Sequence, residues 1–356
     1  MENVPDKTRR IIDANLNRTG EGLRFLEDVG RLLLDDSDLS QQLKNLRHDL
    51  VRGDVSFNRR LLQSRDSEGD VGVDLEVPGE ARQKELPDAV VANSRRVQES
   101  LRVLEEMAKL PGTDLDPEKF KHARFTLYTL EKKLLFRLLR RGKIDRLRGL
   151  YVIIDTPALQ GRSHLEVAGE VIRGGAKVIQ LRDKRLAKKE LISVARQLKD
   201  LCAEQGVLFI VNDYLDVALA VDADGLHLGE DDLPVEVARR LLPGDKILGG
   251  SARTVEGATA AQAAGADYLG VGAMYSTPTK ETAEVVGPER LRRIKQAITV
   301  PVVAIGGINR DNAAAVVAAG ADAVAVISAV LGADNVAEAT RQLVAGIEEA
   351  NGQDDR

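Results

Sequence analysis

The chain has 356 residues, of which 30% are charged, and a formal net charge of −5. Such a length can hold two or three domains and easily buries a large core. The small net charge, the 3% of aromatic residues and the absence of tryptophan argue against nucleic-acid binding. Cys202 is the single cysteine, which excludes an internal disulfide and a cysteine-based metal site. Because no apolar stretch approaches membrane-spanning length, we expect a cytoplasmic protein that does not contact a membrane.

The first 145 residues predict helices and contain an internal repeat. Residues 14–28 recur as residues 92–106, at an offset of 78 positions. In each copy an asparagine, an arginine and a small residue lie beside an apolar helical face. These residues are Asn15, Arg18 and Gly22 in the first copy, and Asn93, Arg96 and Ser100 in the second. Two interpretations stay open: the polar groups hydrogen-bond to join two similar helices, or two arginine-bearing helices form an anion pocket.

A third long helix is predicted to begin at Pro117, with Asp116 as its N-cap, and to end near Leu139. The basic cluster that follows it, at residues 140–143, suits a helix C-terminus and leads into a short polar linker. We therefore predict a helical domain over residues 1–145 and a second domain over residues 146–356.

From Leu150 onward, short apolar strands alternate with amphipathic helices. The eight predicted strands are Leu150–Ile154, Val178–Arg182, Val207–Asn212, Gly225–Leu228, Ile247–Gly250, Tyr268–Gly272, Val302–Ile305 and Ala323–Ile327. Eight strands, each followed by a helix within about 200 residues, indicate an α/β fold: a (β/α)8 TIM barrel preceded by an all-helical N-terminal domain. A doubly wound open sheet is the alternative, but no glycine-rich dinucleotide turn follows the first strand.

Polar side chains cluster where the predicted strands end, at the rim that carries active sites in such barrels. The second strand ends in four polar groups, Gln180, Arg182, Asp183 and Lys184. The later strands lead into Asn212-Asp213, Gly229 to Asp232, Ser251, Tyr275 to Lys280, Gly306 to Asn309, and Ile327-Ser328. One rim therefore gathers amide, hydroxyl, carboxylate and cationic groups.

Two carboxylates of this rim are candidate metal ligands. Asp213 and Asp232 follow adjacent strands, and two carboxylates with water and phosphate oxygens suit Mg²⁺. The alternative for each aspartate is a helix cap. Lys184, Lys280 and Arg182 would neutralise a polyanion that faces the metal.

The last two strands predict a second anion site. Gly306, Gly307 and Ser328 occupy positions where barrels of this kind commonly bind a phosphate. Two phosphorylated small-molecule substrates would fill the two sites. By contrast, His227, Tyr214 and Tyr268 are expected to pack rather than to take part in chemistry.

These rim residues closely resemble the thiamine-phosphate synthase family, over roughly residues 150–348. The motifs that carry the resemblance are Gln180 to Lys184, Asn212-Asp213, His227 to Asp232, Ser251, Thr277 to Lys280, Gly306-Gly307 and Ile327-Ser328. The resemblance implies a transferase that joins hydroxymethylpyrimidine diphosphate to thiazole phosphate, or to its carboxylated form, and releases diphosphate. It also implies a dissociative, magnesium-assisted substitution that needs no protein nucleophile.

The resemblance assigns a role to each matching position. The pyrimidine diphosphate would be held by Gln180, Leu181, Arg182, Asp183, Lys184, Asn212, Ser251 and Lys280. The thiazole phosphate would be held by Thr277, Pro278, Thr279, Gly307, Ile327 and Ser328. Asp213 and Asp232 would bind Mg²⁺, and Lys280, Ser251, Arg182 and Lys184 would act in catalysis.

Two positions depart from common forms of the family. Glu230 stands where glutamine is frequent, and Arg253 stands where many members have histidine. The alternative function is a thiazole tautomerase on the same barrel, with a non-catalytic N-terminal interaction module. Arg253 argues against it, because arginine cannot shuttle protons at neutral pH.

The N-terminal region resembles a helical domain fused to some bacterial synthases and related to an alternative hydroxymethylpyrimidine phosphate kinase. The repeated segment and the loop from Arg65-Asp66 to Asp70-Val71-Gly72 carry this resemblance. It implies ATP as a ligand of this domain, although no common nucleotide-binding motif is present. A scaffold or dimerisation module is the alternative, and a homo-oligomer is compatible with either.

Overall fold

The computed structural model describes residues 4–51, 55–65, 85–277 and 284–354. The chain divides into two compact units, Met1–Leu139 and Arg140–Arg356. This division falls six residues before the predicted boundary at residue 145, within one long helix.

The first unit is helical in its described part. Its helices are α1 (Asp6–Asp28), α2 (Ser37–Val51), α3 (Val55–Gln63), α4 (Leu86–Ala108) and α5 (Pro117–Asp145), and a π-helical turn (Val29–Leu33) follows α1. The apolar faces of these helices enclose one core, which includes Ile12, Leu23, Leu26, Leu101, Leu104 and Leu127. These positions recur at helical spacing in the sequence, so the predicted stripes are the buried faces.

The internal repeat corresponds to α1 and α4, which are both 23 residues long. Gly22 on α1 allows α4 to approach closely, because a Cβ at this position would lie 2.4 Å from Val97 Cγ2. The side-chain amides of Asn15 and Asn93 donate to the carbonyls four residues earlier in their own helices, at 2.8 and 2.9 Å. The repeated asparagines therefore stabilise each helix rather than join the two.

The repeated glutamates form buried ion pairs. Glu27 on α1 lies 2.9 Å from Arg47 on α2, and Glu105 on α4 lies 3.1 Å from Arg124 on α5. Both glutamates are at most 5% exposed, so each needs a cationic partner. The unit is thus built from two similar helix pairs, each held by one buried carboxylate.

Helix α5 begins as the sequence predicts but ends later. Asp116 accepts a hydrogen bond from the amide of Glu118 at 2.9 Å, as an N-cap does. The helix continues to Asp145 instead of stopping near Leu139. In the second unit, Lys143 donates to the carbonyl of Asp245 at 3.0 Å, a tertiary contact that the local sequence pattern could not reveal.

The second unit is the predicted (β/α)8 barrel. Its strands are β1 (Gly149–Asp155), β2 (Val178–Arg182), β3 (Leu208–Asn212), β4 (Gly225–Leu228), β5 (Ile247–Ala252), β6 (Tyr268–Gly272), β7 (Val302–Ile305) and β8 (Ala323–Val326). They are parallel and close in sequence order, with β8 paired to β1. All eight strand predictions are confirmed, with ends that differ by at most two residues.

Helices follow the strands around the barrel. They are α6 (His164–Arg173), α7 (Lys188–Glu204), α8 (Leu215–Ala220), α9 (Val235–Leu241), α10 (Val255–Ala263), α11 (Gly287–Ala297), α12 (Ala313–Val317), α13 (Ser328–Leu331) and α14 (Val336–Asp354), and a 3-10 turn (Thr156–Leu159) follows β1. No helix in the described ranges is both long enough and apolar enough to cross a membrane.

The strands bury side chains on both faces, which explains their nearly continuous apolar runs. One core lies between the barrel and its helices and includes Val152, Leu181, Phe209 and Leu269. A second core fills the barrel interior. Toward the strand C-termini, several inward-facing side chains of β2 to β6 are polar instead, and they form the floor of the site.

Candidate active site

A cavity of about 430 Å³ opens at the C-terminal ends of the strands. It brings together most of the predicted site residues: Gln180, Arg182, Lys184, Asn212, Asp213, Asp232, Ser251, Thr277, Gly307, Ile327 and Ser328. Three others, Pro278, Thr279 and Lys280, lie outside the described residues. The barrel therefore places on one rim groups that lie up to about 150 residues apart in sequence.

Two predicted residues do not present their side chains to the cavity. Leu181 alternates outward on β2 and is buried between the barrel and its helices. Asp183 is 3% exposed, and one of its oxygens accepts hydrogen bonds from the amides of Arg185 and Leu186, both at 2.7 Å. This carboxylate stabilises the turn after β2, which is the structural role of an acidic side chain at a helix-type turn.

The side chains of Asp213 and Asp232 are neighbours on the rim, after the adjacent strands β3 and β4. Their carboxyl groups are close enough to share a hydrogen bond. Asp213 follows β3 with a left-handed backbone (φ +62°), a conformation that aspartate tolerates, and its amide donates to the carbonyl of His227 at 2.8 Å. Asp232 accepts a hydrogen bond from the amide of Gly229 at 2.9 Å. A Cβ at Gly229 would lie 2.7 Å from that carboxylate oxygen, so a larger residue there would push the carboxylate aside.

The environment of Asp213 favours protonation of its carboxyl group. Burial and, after it, the adjacent Asp232 carboxylate raise the pKa of Asp213 to about 6, whereas Lys184 opposes the shift. A bound divalent cation would replace the shared proton and remove the repulsion. Within the described residues no group of three or more histidine, cysteine or acidic side chains could hold a metal ion. Two neighbouring carboxylates suit Mg²⁺, which commonly takes one or two carboxylates and fills its coordination with water and substrate oxygens.

Cationic side chains lie on the same side of the cavity. Lys184 Nζ lies 3.2 Å from Asp213 Oδ2, and the Lys184 side chain is 56% exposed. Arg182 Nη1 donates to the buried Asp155 at 2.6 Å, which fixes the guanidinium at the end of β2. An anion entering the cavity would meet one exposed positive charge and one that is held by a buried carboxylate.

Glycines form the opposite wall. Gly306 and Gly307 have positive φ values of +99° and +67°. A Cβ at Gly307 would lie 2.7 Å from the carbonyl oxygen of Ser276, so only glycine lets the two loops approach. Asn312 donates to the carbonyl of Gly307 at 3.0 Å and holds the turn. Exposed backbone next to the hydroxyl of Ser328 is suited to a phosphate.

Sequence reasoning missed the polar floor of the cavity. Tyr151, His227 and Tyr268 line it together with Gln180 and Ser251. The rings of His227 and Tyr268 do pack, with centroids 5.5 Å apart, but both also hydrogen-bond. Burial lowers the pKa of His227 to about 4, so the ring is neutral at physiological pH. The signal that could have found them is strand parity, which points these side chains inward like Gln180.

The polar rim on a closed barrel agrees with comparisons to known proteins. The family model described as thiamine monophosphate synthase matches residues 150–330, more than half of the chain. The chain belongs to the thiamine-phosphate synthase family. The family model described as the ThiD2 family matches residues 10–133 of this synthase.

Individual relatives agree with this membership. The thiamine-phosphate synthase of Thermosynechococcus vestitus is 39% identical over 338 residues, which are 95% of this chain and 94% of that protein. That of Moorella thermoacetica is 51% identical over 205 residues, which are 57% of this chain and 98% of that protein. The solved thiamine phosphate pyrophosphorylase from Pyrococcus furiosus is 44% identical with a TM-score of 0.54, and it covers 58% of this chain and 98% of its own.

The family predicted from the rim motifs is therefore confirmed, and the synthase is an enzyme of the transferase class. The tautomerase alternative is not favoured, because the curated relatives are synthases. The match of residues 10–133 to a second family fits a kinase-like N-terminal region.

Proposed function

We propose that the barrel joins hydroxymethylpyrimidine diphosphate to thiazole phosphate, or to its carboxylated form, and releases diphosphate. The observation that carries the proposal is the Asp213–Asp232 pair beside Lys184, on the rim opposite the glycine wall at Gly306-Gly307. In a closed eight-stranded barrel, β3 and β7 lie across from each other. A cavity with carboxylates and a lysine on one side, and a glycine wall suited to a phosphate on the other, suits two phosphorylated substrates.

The pyrimidine diphosphate binds on the β2–β5 side. Gln180 and Asn212 provide amide groups for the aminopyrimidine, while Arg182, Lys184 and Ser251 donate to the diphosphate. Asp213 and Asp232 would hold Mg²⁺, which would supply Lewis-acid stabilisation of the departing diphosphate. The negative charge on the leaving oxygen grows as its bond to the pyrimidine methylene carbon breaks, so preorganised donors stabilise the transition state more than the ground state.

The thiazole phosphate binds on the β6–β8 side. Thr277, Gly307 and Ser328 hold its phosphate, and the thiazole nitrogen then attacks the electron-poor methylene carbon. The carbon–oxygen bond to diphosphate breaks first and the carbon–nitrogen bond then forms, so no protein nucleophile is needed. Holding two substrates in line is the main contribution of these residues. Lys280, Pro278 and Thr279 belong to this proposal through the family motif.

The test is a two-substrate assay on the full chain. We expect thiamine phosphate and diphosphate in equal amounts when both substrates and Mg²⁺ are present, and no product after chelation. Asp216→Asn is a matched control, because Asp216 lies near Asp213 in sequence but pairs with Lys188 at 2.6 Å. Isomerisation of a thiazole substrate without diphosphate release would favour the tautomerase instead.

We further propose that the N-terminal unit phosphorylates hydroxymethylpyrimidine phosphate with ATP, which would supply the substrate of the barrel. The repeated residues support a ligand site. The asparagines and the later glutamates have structural partners, as described above, but Arg18, Glu21 and Glu99 have none within the described part of the chain. Together with Arg96 they line a groove of about 520 Å³ along α1 and α4.

Two arginines in one groove suit phosphorylated ligands, since guanidinium groups bind phosphate oxygens in pairs. The step transfers the γ-phosphoryl group of ATP to an oxygen of the phosphomonoester and leaves ADP. Arg18, Glu21 and Glu99 are exposed, so packing does not require these charges at the repeated positions, whereas Glu27 and Glu105 are explained by their buried ion pairs. This contrast favours a functional groove over a scaffold.

The kinase proposal is tested by incubating the full chain with ATP, Mg²⁺ and hydroxymethylpyrimidine phosphate. We expect ADP and the pyrimidine diphosphate, and thiamine phosphate once thiazole phosphate is added. Arg18→Gln should abolish ADP formation, whereas Arg95→Gln, an exposed neighbour on α4 outside the groove, should not. No turnover by the unmodified chain would leave the scaffold alternative. A cytoplasmic location and a homo-oligomeric state stay predictions.

A further inference from the structure

A continuous chain of hydrogen bonds crosses the floor of the cavity. Gln180 Nε2 donates to the Tyr151 hydroxyl at 2.8 Å, and the hydroxyls of Tyr151 and Tyr268 lie 3.2 Å apart. The Tyr268 hydroxyl lies 3.2 Å from His227 Nδ1, and His227 Nε2 lies 3.1 Å from Ser251 Oγ. The chain therefore connects β2, β1, β6, β4 and β5, and it begins and ends at residues proposed to hold the pyrimidine diphosphate.

The direction of every hydrogen in this chain follows from its first bond. Tyr151 is 2% exposed and accepts from Gln180, so its single hydrogen has Tyr268 as its acceptor. Tyr268 is 0% exposed and now accepts from Tyr151, so its own hydrogen goes to His227 Nδ1. Burial raises the pKa of both phenols, so both keep their hydrogens.

The same reasoning gives the tautomer of His227 and the direction of the Ser251 hydroxyl hydrogen. Because Nδ1 of His227 accepts, the ring hydrogen is on Nε2, which donates to Ser251 Oγ. The hydroxyl hydrogen of Ser251 is then left to point into the cavity. With the opposite direction, Ser251 would donate to the histidine and present lone pairs to the cavity.

From this geometry we infer that Tyr151, Tyr268 and His227 are positioning residues that hold Ser251 as a hydrogen-bond donor to the diphosphate of the pyrimidine substrate. The inference rests on the proposed function, in which Ser251 contacts that diphosphate. An anion can only accept hydrogen bonds, so the direction of the chain decides whether Ser251 attracts or repels it.

The barrel makes room for this chain at two glycines. A Cβ at Gly249 on β5 would lie 2.2 Å from Tyr268 Cζ and 2.5 Å from His227 Nδ1. A Cβ at Gly270 on β6 would lie 2.9 Å from His227 Cε1. Any larger residue at either position would displace the ring, so the two strands are shaped around the chain.

The first test is the tautomer of His227, measured without any activity assay. In the full chain with ¹⁵N-labelled histidine, a long-range proton–nitrogen NMR spectrum separates the two neutral tautomers, and His227→Asn assigns the signal among the four histidines. We expect hydrogen on Nε2 and an unprotonated Nδ1. Hydrogen on Nδ1 would overturn the inference, whatever the kinetics show.

The second test removes one link at a time. Tyr268→Phe should raise the KM for the pyrimidine diphosphate by about threefold to tenfold, the effect of one hydrogen bond, and leave the KM for thiazole phosphate unchanged. Tyr151→Phe should have a smaller effect, because Tyr268 still donates to His227. Tyr214→Phe is the control, since Tyr214 packs against the barrel outside the chain. Equal rises in both KM values would show general structural damage and contradict a positioning role.

A wrong assignment of Ser251 to the diphosphate can be distinguished from a wrong direction of the hydrogen-bond chain. If Ser251→Ala leaves the KM for the pyrimidine diphosphate unchanged while the Nε2 tautomer is observed, the contact between Ser251 and the diphosphate is wrong. If Tyr268→Phe does not fold, as judged by thermal unfolding, the tautomer of the unmodified chain still decides the direction of the hydrogens.

Discussion

Arg253 Nη1 lies 3.1 Å from Glu230 Oε2, so the two rim residues that depart from common forms of the family pair with each other. Both side chains line the cavity and are about one third exposed, at 37% and 36%. Glu230 and Arg253 therefore form one ion pair and are best considered together. The carboxylate of Glu230 offsets the extra positive charge that Arg253 places near the diphosphate side.

This pairing predicts opposite effects of the two single substitutions. Glu230→Gln should lower the KM for the pyrimidine diphosphate up to about threefold, because Arg253 is then released to bind the anion, whereas Arg253→His should raise it. A double-mutant cycle on KM should show a coupling free energy between about 0.2 and 1 kcal/mol, as expected for a partly exposed ion pair. Strictly additive effects would mean that the pair has no role in substrate binding.

The carboxylate pair predicts a large loss of synthase activity. Asp213→Asn and Asp232→Asn should each lower kcat by about 10²-fold or more, because the departing diphosphate loses its metal-based stabilisation. The measurement is product formation at saturating substrates over a Mg²⁺ titration, with Asp216→Asn as the unaffected control. Turnover close to that of the unmodified enzyme in both variants would rule out the metal assignment.

The raised pKa of Asp213 predicts a pH dependence of stability in the absence of metal. Its pKa is about 6 in the folded chain, mainly because of burial, against 3.8 when unperturbed. Its stabilising contribution is therefore full below about pH 4 and is lost as the pH rises through about 6. Asp213→Asn should raise the Tm in chelator at pH 7.5 and should have little effect near pH 4. An equal change in Tm at both pH values would contradict this assignment of the pKa.

The two anion sites predict different kinetic consequences. Lys280→Ala should lower kcat, because lysine meets charge that develops as the carbon–oxygen bond breaks. Ser328→Ala should mainly raise the KM for thiazole phosphate, whose phosphate does not change during the reaction. Steady-state kinetics with each substrate varied in turn makes the comparison. Equal damage to kcat and KM in both variants would show that the sites are misassigned.

The division into two units predicts that the barrel works alone. A fragment starting at Arg140 should fold and make thiamine phosphate from the pyrimidine diphosphate, and it should fail with the monophosphate and ATP. The Moorella thermoacetica synthase matches this chain over 205 residues, which are 98% of that protein. A synthase of about the length of the fragment therefore exists. Starting at Arg140 keeps Lys143, whose bond to Asp245 lies within the second unit. An insoluble or inactive fragment would make the N-terminal unit a structural support.

The repeated helices, the eight strands and most of the residues at the cavity rim could be predicted from the sequence. These features depend on local periodicity and on where apolar runs end. Eight successive strand–helix units commonly bury their apolar faces by closing into a barrel, so the barrel could be predicted from the same pattern. The extension of α5 to Asp145 was missed because it depends on contacts with residues about 100 positions away.

The arrangement of the rim residues becomes visible only in the tertiary structure. The local sequence does not show that Asp183 caps its own turn whereas Asp213 faces Asp232, because Asp183 and Asp213 both directly follow a strand. Nor could it show that His227 and Tyr268 belong to a polar chain rather than to the core. Both distinctions depend on distances of a few ångströms between strands far apart in sequence, and these distances exist only once the barrel has closed.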